Sequence, residues 1–227
     1  MGPDVRGFKK VVIFDAALHQ RKVKINPTIA QQHAQTLDKG ENAKYPLRRG
    51  VVTTFSIGTG RLPCNKENLI NGQLPRRLVL GFVSNMAFNG APKENPFNFQ
   101  NFGLNFLSVS TGSQHHPFQP VKPNFASGEY IHAYNLLYQS LDVYNSSGGI
   151  DITPEEFANG YTLYGFDLTA DMSEGGHIDP IKFGSLRMEA HFDTALTTPV
   201  NVIVYAEYDN MIQIDRARNV LTDYAAS

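Results

Sequence analysis

The sequence predicts an all-β protein, an antiparallel sandwich or barrel of about eight strands with two or three short helices in its connections. Three observations carry that expectation. Short runs rich in β-branched and aromatic residues recur along the chain, and Gly, Pro or Asn-rich segments separate most of them. Helical periodicity appears in only a few places, whereas a doubly wound parallel sheet needs a helix after nearly every strand.

The clearest strand is SLRMEAHFDT, in which Leu186, Met188, Ala190 and Phe192 alternate with Arg187, Glu189, His191 and Asp193. Such alternation places one face in a core and the other in water. Beyond Thr198-Pro199, VNVIVYAEYDN reads as a strand buried on much of both faces, and the short connection suggests that these two strands form a hairpin. Upstream, strands are expected at VVIFDAAL from Val11, RKVKI from Arg21, VVTTFSI from Val51, RRLVLGFVSN from Arg76, GLNFLSVST from Gly103 and YTLYGFDLT from Tyr161. The SIGTGR segment, Ser56 to Arg61, lacks the lysine and hydroxyl residue of a phosphate-binding loop and reads as a turn.

One helix is expected from Thr28 to Leu37, with Pro27 near its start and Gly40 past its end. A second spans Tyr130 to Val143, where Tyr130, Ala133, Tyr134, Leu137 and Leu141 recur at helical spacing. A third, short helix starts at Thr153-Pro154-Glu155-Glu156: the threonine caps, the proline takes the first position, and the acids suit the positive end of the helix dipole.

At 227 residues the chain can bury one substantial core, so a single domain over residues 11–227 is expected after an extension at 1–10. A lone cysteine, Cys64, excludes an internal disulfide framework and a multi-cysteine zinc site. No secretory leader is apparent and no run approaches the ~20 apolar residues of a membrane span, so a soluble, intracellularly made protein without a membrane partner is expected. The net charge of −1 hides an asymmetry: residues 1–50 hold ten Lys/Arg against four Asp/Glu, whereas residues 151–227 hold four against thirteen. Opposed ends of this kind steer like subunits together. The basic third, with Lys9, Lys10, Arg21, Lys22 and Lys24, also admits weak contact with nucleic-acid phosphates.

Two long connections stand out, residues 86–102 and 113–129; loops of that length usually bind something or pack against neighbours. The first concentrates Phe88, Pro96, Phe97, Phe99 and Phe102, which either fold back on the sandwich or meet another subunit. The second, GSQHHPFQPVKPNF, holds His115, His116 and Phe118 among three prolines and is expected to run as an extended arm outside the sheets. Adjacent histidines on an extended chain point opposite ways and cannot easily share an ion. Asp171, Glu174, His177 and Asp179 form at most a weak cation loop, Asn145-Ser146-Ser147 matches a glycosylation acceptor, and no serine lies in a nucleophile elbow. No catalytic residue, cofactor or metal site emerges.

Particular strings then identify a resemblance. AKYPLRR (Ala43 to Arg49), LPRRLVLGFVSNMAFNG (Leu74 to Gly90), NPFNFQNFGLNFLSV (Asn95 to Val109), NGYTLYGFDLT (Asn159 to Thr169), EGGHIDPIKFGSLRMEAHF (Glu174 to Phe192) and NVIVYAEYDNMIQIDRARNVLTDY (Asn201 to Tyr224) resemble the hexon-like major capsid proteins of Maverick/Polinton-type transposons and adintoviruses. The likeness implies a jelly-roll β-sandwich, similar to the C-terminal half of a double jelly roll. It further implies a non-enzymatic capsid protein of the virion, self-assembling as homotrimers into pseudo-hexagonal capsomers of an icosahedral shell. The phenylalanine loop and the proline arm are the expected subunit contacts.

Rival readings remain. Sugar-binding sandwiches share the architecture but usually stack sugars on Trp, of which this chain has none, and cupin-type metal enzymes need a His-x-His pair that is missing. A capsid gene adopted by a host for another purpose is the third.

Overall fold

Strand β3 (Arg77–Ser84) shows how the sequence builds the centre of the protein. Leu78, Leu80 and Phe82 fall on one side, as the period of two of a strand requires, and are completely buried, and Arg77, Gly81 and Val83 on the other side are buried as well. The computed structural model describes residues 12–144, 146–169 and 180–224. Besides β3 the strands are β1 (Ala43–Ile57), β2 (Pro63–Gln73), β4 (Leu104–Thr111), β5 (Gln114–Val121), β6 (Leu163–Asp167), β7 (Phe183–Phe192), β8 (Val200–Ile214) and the short β9 (Val220–Thr222).

The strands form two antiparallel sheets. One runs β1-β8-β3-β6, with β9 added to β8, and the other runs β2-β7-β4-β5. Strand pairs 4 with 5, 3 with 6, 2 with 7 and 1 with 8 are thus the rungs of one long hairpin, wound so that successive rungs fall in alternate sheets. This winding defines a jelly roll. Inward rows such as Ala206–Leu78–Phe166 and Val204–Leu80–Tyr164 cross the first sheet in register. Leu107, Ala190 and Cys64 make the corresponding row in the second. The two layers meet through Phe82, whose ring stands edge-on to Tyr164 and to Phe192, each at 6.0 Å between centroids.

The alternation of β7 is as expected: Leu186, Met188, Ala190 and Phe192 are buried and their neighbours half-buried. Strand β8 differs from expectation, since it also alternates, with Val202, Val204, Ala206 and Tyr208 inward and Tyr205 exposed. These two strands do not form a hairpin. They lie in different sheets, because the connection between them crosses the edge of the sandwich. Nor is the proline segment an arm outside the sheets. Gln114–Val121 pairs with β4, matching Ser110 with His115 and Thr111 with Gln114, and its prolines are tolerated because β5 is an edge strand with one unpaired side. The segment around Cys64 is likewise an edge strand, β2. Cys64 itself is half-buried, and burial raises its thiol pKa against the lowering charges of Lys66 and Arg61, so it stays a thiol.

Helix α1 (Pro27–Asp38) has Asn26 as its cap, accepting from Thr28 N–H, and proline in the first turn. Helices α2 (Asn85–Phe88), α3 (Ile131–Ser140) and α4 (Pro154–Ala158) complete the set, α2 being unexpected. On α3, Ala133 and Leu137 are buried as their spacing implies. Thr153 and Glu156 form a reciprocal capping box at α4. The backbone and side-chain hydrogen bonds from Thr153 lower the Glu156 pKa, so this stabilisation is present above the ordinary carboxylate range and is lost as pH falls through the lowered value. Thr153→Ala should cost about 1 kcal/mol in chemical denaturation near neutral pH.

The described residues divide into two units: those before Lys44 with Ile214–Asn219, and Lys44–Gln213 with the residues from Val220 onward. The sandwich belongs to the second. In the first, Arg216 pairs with Asp38 at 3.0 Å, and where strands are expected from Val11 and Arg21 the described residues, 12–26, have no regular structure and are exposed throughout, Val11 itself lying outside the described residues. Strand-like composition forms no strand unless an edge receives it. Residues 1–10, the 171–179 loop and Asn145 lie outside the described residues.

Candidate functional site

The phenylalanine loop begins at the end of β3 on a buried polar anchor. Asn201, 4% exposed, accepts at Oδ1 from Ser56 Oγ at 2.6 Å and from Asn85 Nδ2 at 3.0 Å. Asn85 N–H donates to the Pro199 carbonyl, and Asn89 Nδ2 donates back to Asn85 Oδ1. These bonds satisfy groups that would be costly to bury alone and fix α2. Further on, Asn95 Oδ1 accepts from Phe97 N–H at 3.0 Å, and Asn101 Nδ2 donates to the Ala158 carbonyl.

The loop thereby sorts its aromatic residues. Phe99 donates its N–H to the Gly160 carbonyl and accepts from Thr162 N–H. Its ring lies against Gly81, where a Cβ would come within 2.6 Å of Phe99 Cδ1. Phe102, at φ 48°, packs against the core. Phe99 and Phe102 therefore hold the loop to its own chain. Phe88, Pro96 and Phe97 turn outward, with Phe97 71% exposed.

On the edge strand β5, Phe118 is 89% exposed. His115 is exposed and meets Ser108 Oγ at 2.9 Å, whereas His116 is half-buried and meets Thr111 Oγ1 at 3.0 Å. Burial, then the neighbouring Lys182 and His115, lower the His116 pKa, so it is held neutral. The two rings have separate partners and form no shared site. Exposed apolar side chains that the candidate set missed include Met86, Ile181 and Phe183. The parity of β7 already contained a signal for Phe183, which stands on the same side as Arg187, Glu189 and His191.

An ionic cluster joins β1, the start of β3 with the preceding Arg76, β8, and Asp142 just after α3. Arg77 pairs with Asp142 and with Glu207, Arg76 with Asp209, and Arg48 reaches Glu207 and Asp209, both at 3.9 Å. Its charges neutralise one another and leave no isolated reactive group. Among the described residues no three His, Cys, Asp or Glu side chains converge as metal ligands, and no helix is long and apolar enough to cross a membrane.

PBCV-1 VP54, solved and fitted into a cryo-EM reconstruction of the virophage Sputnik, superposes with a TM-score of 0.53 at 13% identity, covering 89% of this chain and 55% of VP54. The fold is a jelly roll shared with that protein. A quasi-atomic model of the PBCV-1 virus capsid matches with a TM-score of 0.48 at 13% identity, over 86% of this chain and 55% of the other. An uncharacterized protein of Caenorhabditis elegans is 29% identical over 185 residues, 79% of this chain and 44% of that protein. No family model matches the sequence. The chain thus spans about half the length of the relatives it matches.

Proposed function

We propose that this chain is a structural capsid subunit of a virion, of the Maverick/Polinton-type and adintovirus kind, that self-assembles as homotrimeric capsomers of an icosahedral shell and has no enzymatic role. The observation that carries the reading is a jelly roll with the VP54 fold that turns large apolar side chains outward on fixed elements. Phe88, Pro96 and Phe97 on the anchored loop, with His115 and Phe118 on β5, are the subunit contacts. A fixed aromatic residue loses little freedom on docking, and so it suits an interface. Phe99, Phe102 and His116 support these contacts from within their own chain.

The test is native mass measurement of the chain and of a Phe88→Ser, Phe97→Ser, Phe118→Ser variant. Phe99 is left intact because it covers Gly81, and its loss would disturb the fold. The wild-type chain should give trimers or larger assemblies, and the variant a monomer with unchanged β-type circular dichroism. A wild-type monomer, or a variant of undiminished oligomer mass, rules out this surface.

A further inference from the structure

The edge strands of the two sheets are defended unequally. Strand β5 carries Pro117 and Pro120. Strand β2 carries Pro63, Lys66 and Glu67 and is irregular between Lys66 and Ile70, with Asn68 at φ 50°. Strand β6 is covered, since Tyr164 and Phe166 are 1% and 2% exposed and α3 seats on Gly165. Prolines, charges, irregularities and covers of this kind keep an edge from pairing with another chain.

Strand β1 has such devices only in its first half, where Lys44, Pro46, Arg48 and Arg49 lie. Residues 51–57 read VVTTFSI, a run without a charge, a proline or a glycine and rich in β-branched side chains. Among the described residues the strand pairs only with β8, and no strand lies along its other side. Val51, Phe55 and Ile57 pack on the core and fix the run in place, while Val52, Thr53, Thr54 and Ser56 are exposed.

The charges of the first half dictate how this edge can meet its own kind. Parallel alignment would set Lys44, Arg48 and Arg49 beside the same residues of a second copy, like against like. Antiparallel alignment about Thr54 pairs Val51 with Ile57, Val52 with Ser56 and Thr53 with Phe55, and leaves Arg48 and Arg49 opposite Gly60 and Thr59, beyond the paired run. We propose that residues 51–57 of two copies pair in this way across a two-fold axis, through backbone hydrogen bonds that join their first sheets into one. The inference rests on the self-assembly reading above and adds to it the contact between trimers: surfaces that close a trimer are used up within it, and a shell grows only through a second contact.

Native mass measurement with hydrogen exchange, at two protein concentrations, tests this with a charge placed on the axis. The wild-type chain should form assemblies larger than a trimer. In them the amides of residues 51–57 that face away from β8 should exchange at least about ten-fold more slowly than after dilution. Thr54→Lys and Thr54→Glu should each remove that protection, because like charges meet at the axis, and an equimolar mixture of the two should restore it, with exchange in β3 and β8 unchanged throughout. Trimers with a freely exchanging edge, or a mixture that restores nothing, overturn the edge pairing and leave the self-assembly reading standing. Paired chains without trimers uphold the edge and overturn the trimer, whereas an absence of assemblies overturns both. Protection that ignores concentration assigns the edge to a segment of its own chain and overturns the proposal.

Discussion

Phe82→Ala should destabilise the sandwich by about 4 kcal/mol, the cost of a large cavity between two layers that cannot collapse onto each other. The ring is fully buried and touches both sheets, edge-on to Tyr164 of its own sheet and to Phe192 of the opposite one. Its loss removes one of the aromatic contacts between the layers, and the backbone register of β3 with β6 and β8 keeps the first sheet from sagging into the gap. Urea denaturation monitored by tyrosine fluorescence should show a lower midpoint with an unchanged slope. A loss below about 1.5 kcal/mol would mean that Phe82 does not bridge the layers.

Gly165→Ala should be almost as damaging, by overcrowding. A Cβ at this position would lie 1.9 Å from Ser140 Oγ and 3.0 Å from Leu137 Cα, so α3 rests directly on the bare backbone of β6. A backbone atom cannot move aside as a side-chain tip can, and helix or strand must shift, at about 3 kcal/mol. Paired with Ser140→Gly, which removes the nearest atoms, the change should cost clearly less than the sum of the two single substitutions. Simple additivity in thermal unfolding would show that the helix is not seated on Gly165.

The part of the fold legible in the sequence is the part where one side of a strand is buried and the other wet. In β7 the four inward residues declare the strand, its face and even the outward Phe183. Edge strands are less legible. Prolines and asparagines in β2 and β5 read as loop, because local propensity takes no account of which strands have a free side. Conversely, VVIFDAAL and RKVKI have the composition of strands, yet a strand is a pairing and not a property of one segment. Two strands so close in sequence suggest a β7–β8 hairpin, but the winding of the jelly roll sends them to different layers. The candidate surface was legible as a cluster but not in its division of labour. Nothing in the spelling of NPFNFQNF separates Phe97 from Phe99, since the difference is made by Gly81, on another strand.

The winding has one consequence in time. Only β4 and β5 are close neighbours along the chain; every other rung joins segments progressively farther apart, ending with the first strand against the eighth. Emerging from a ribosome, the growing polypeptide can fold its middle early, but the outermost rung must wait until the segment ending at Ile214 has been made. Until then β1 has no partner and the first layer is open. Asn201, which anchors α2 and the phenylalanine loop, belongs to that same late strand. The proposed docking loop therefore takes its final form only once β8 has been made and has paired with β1 and β3, long after its own residues have left the ribosome.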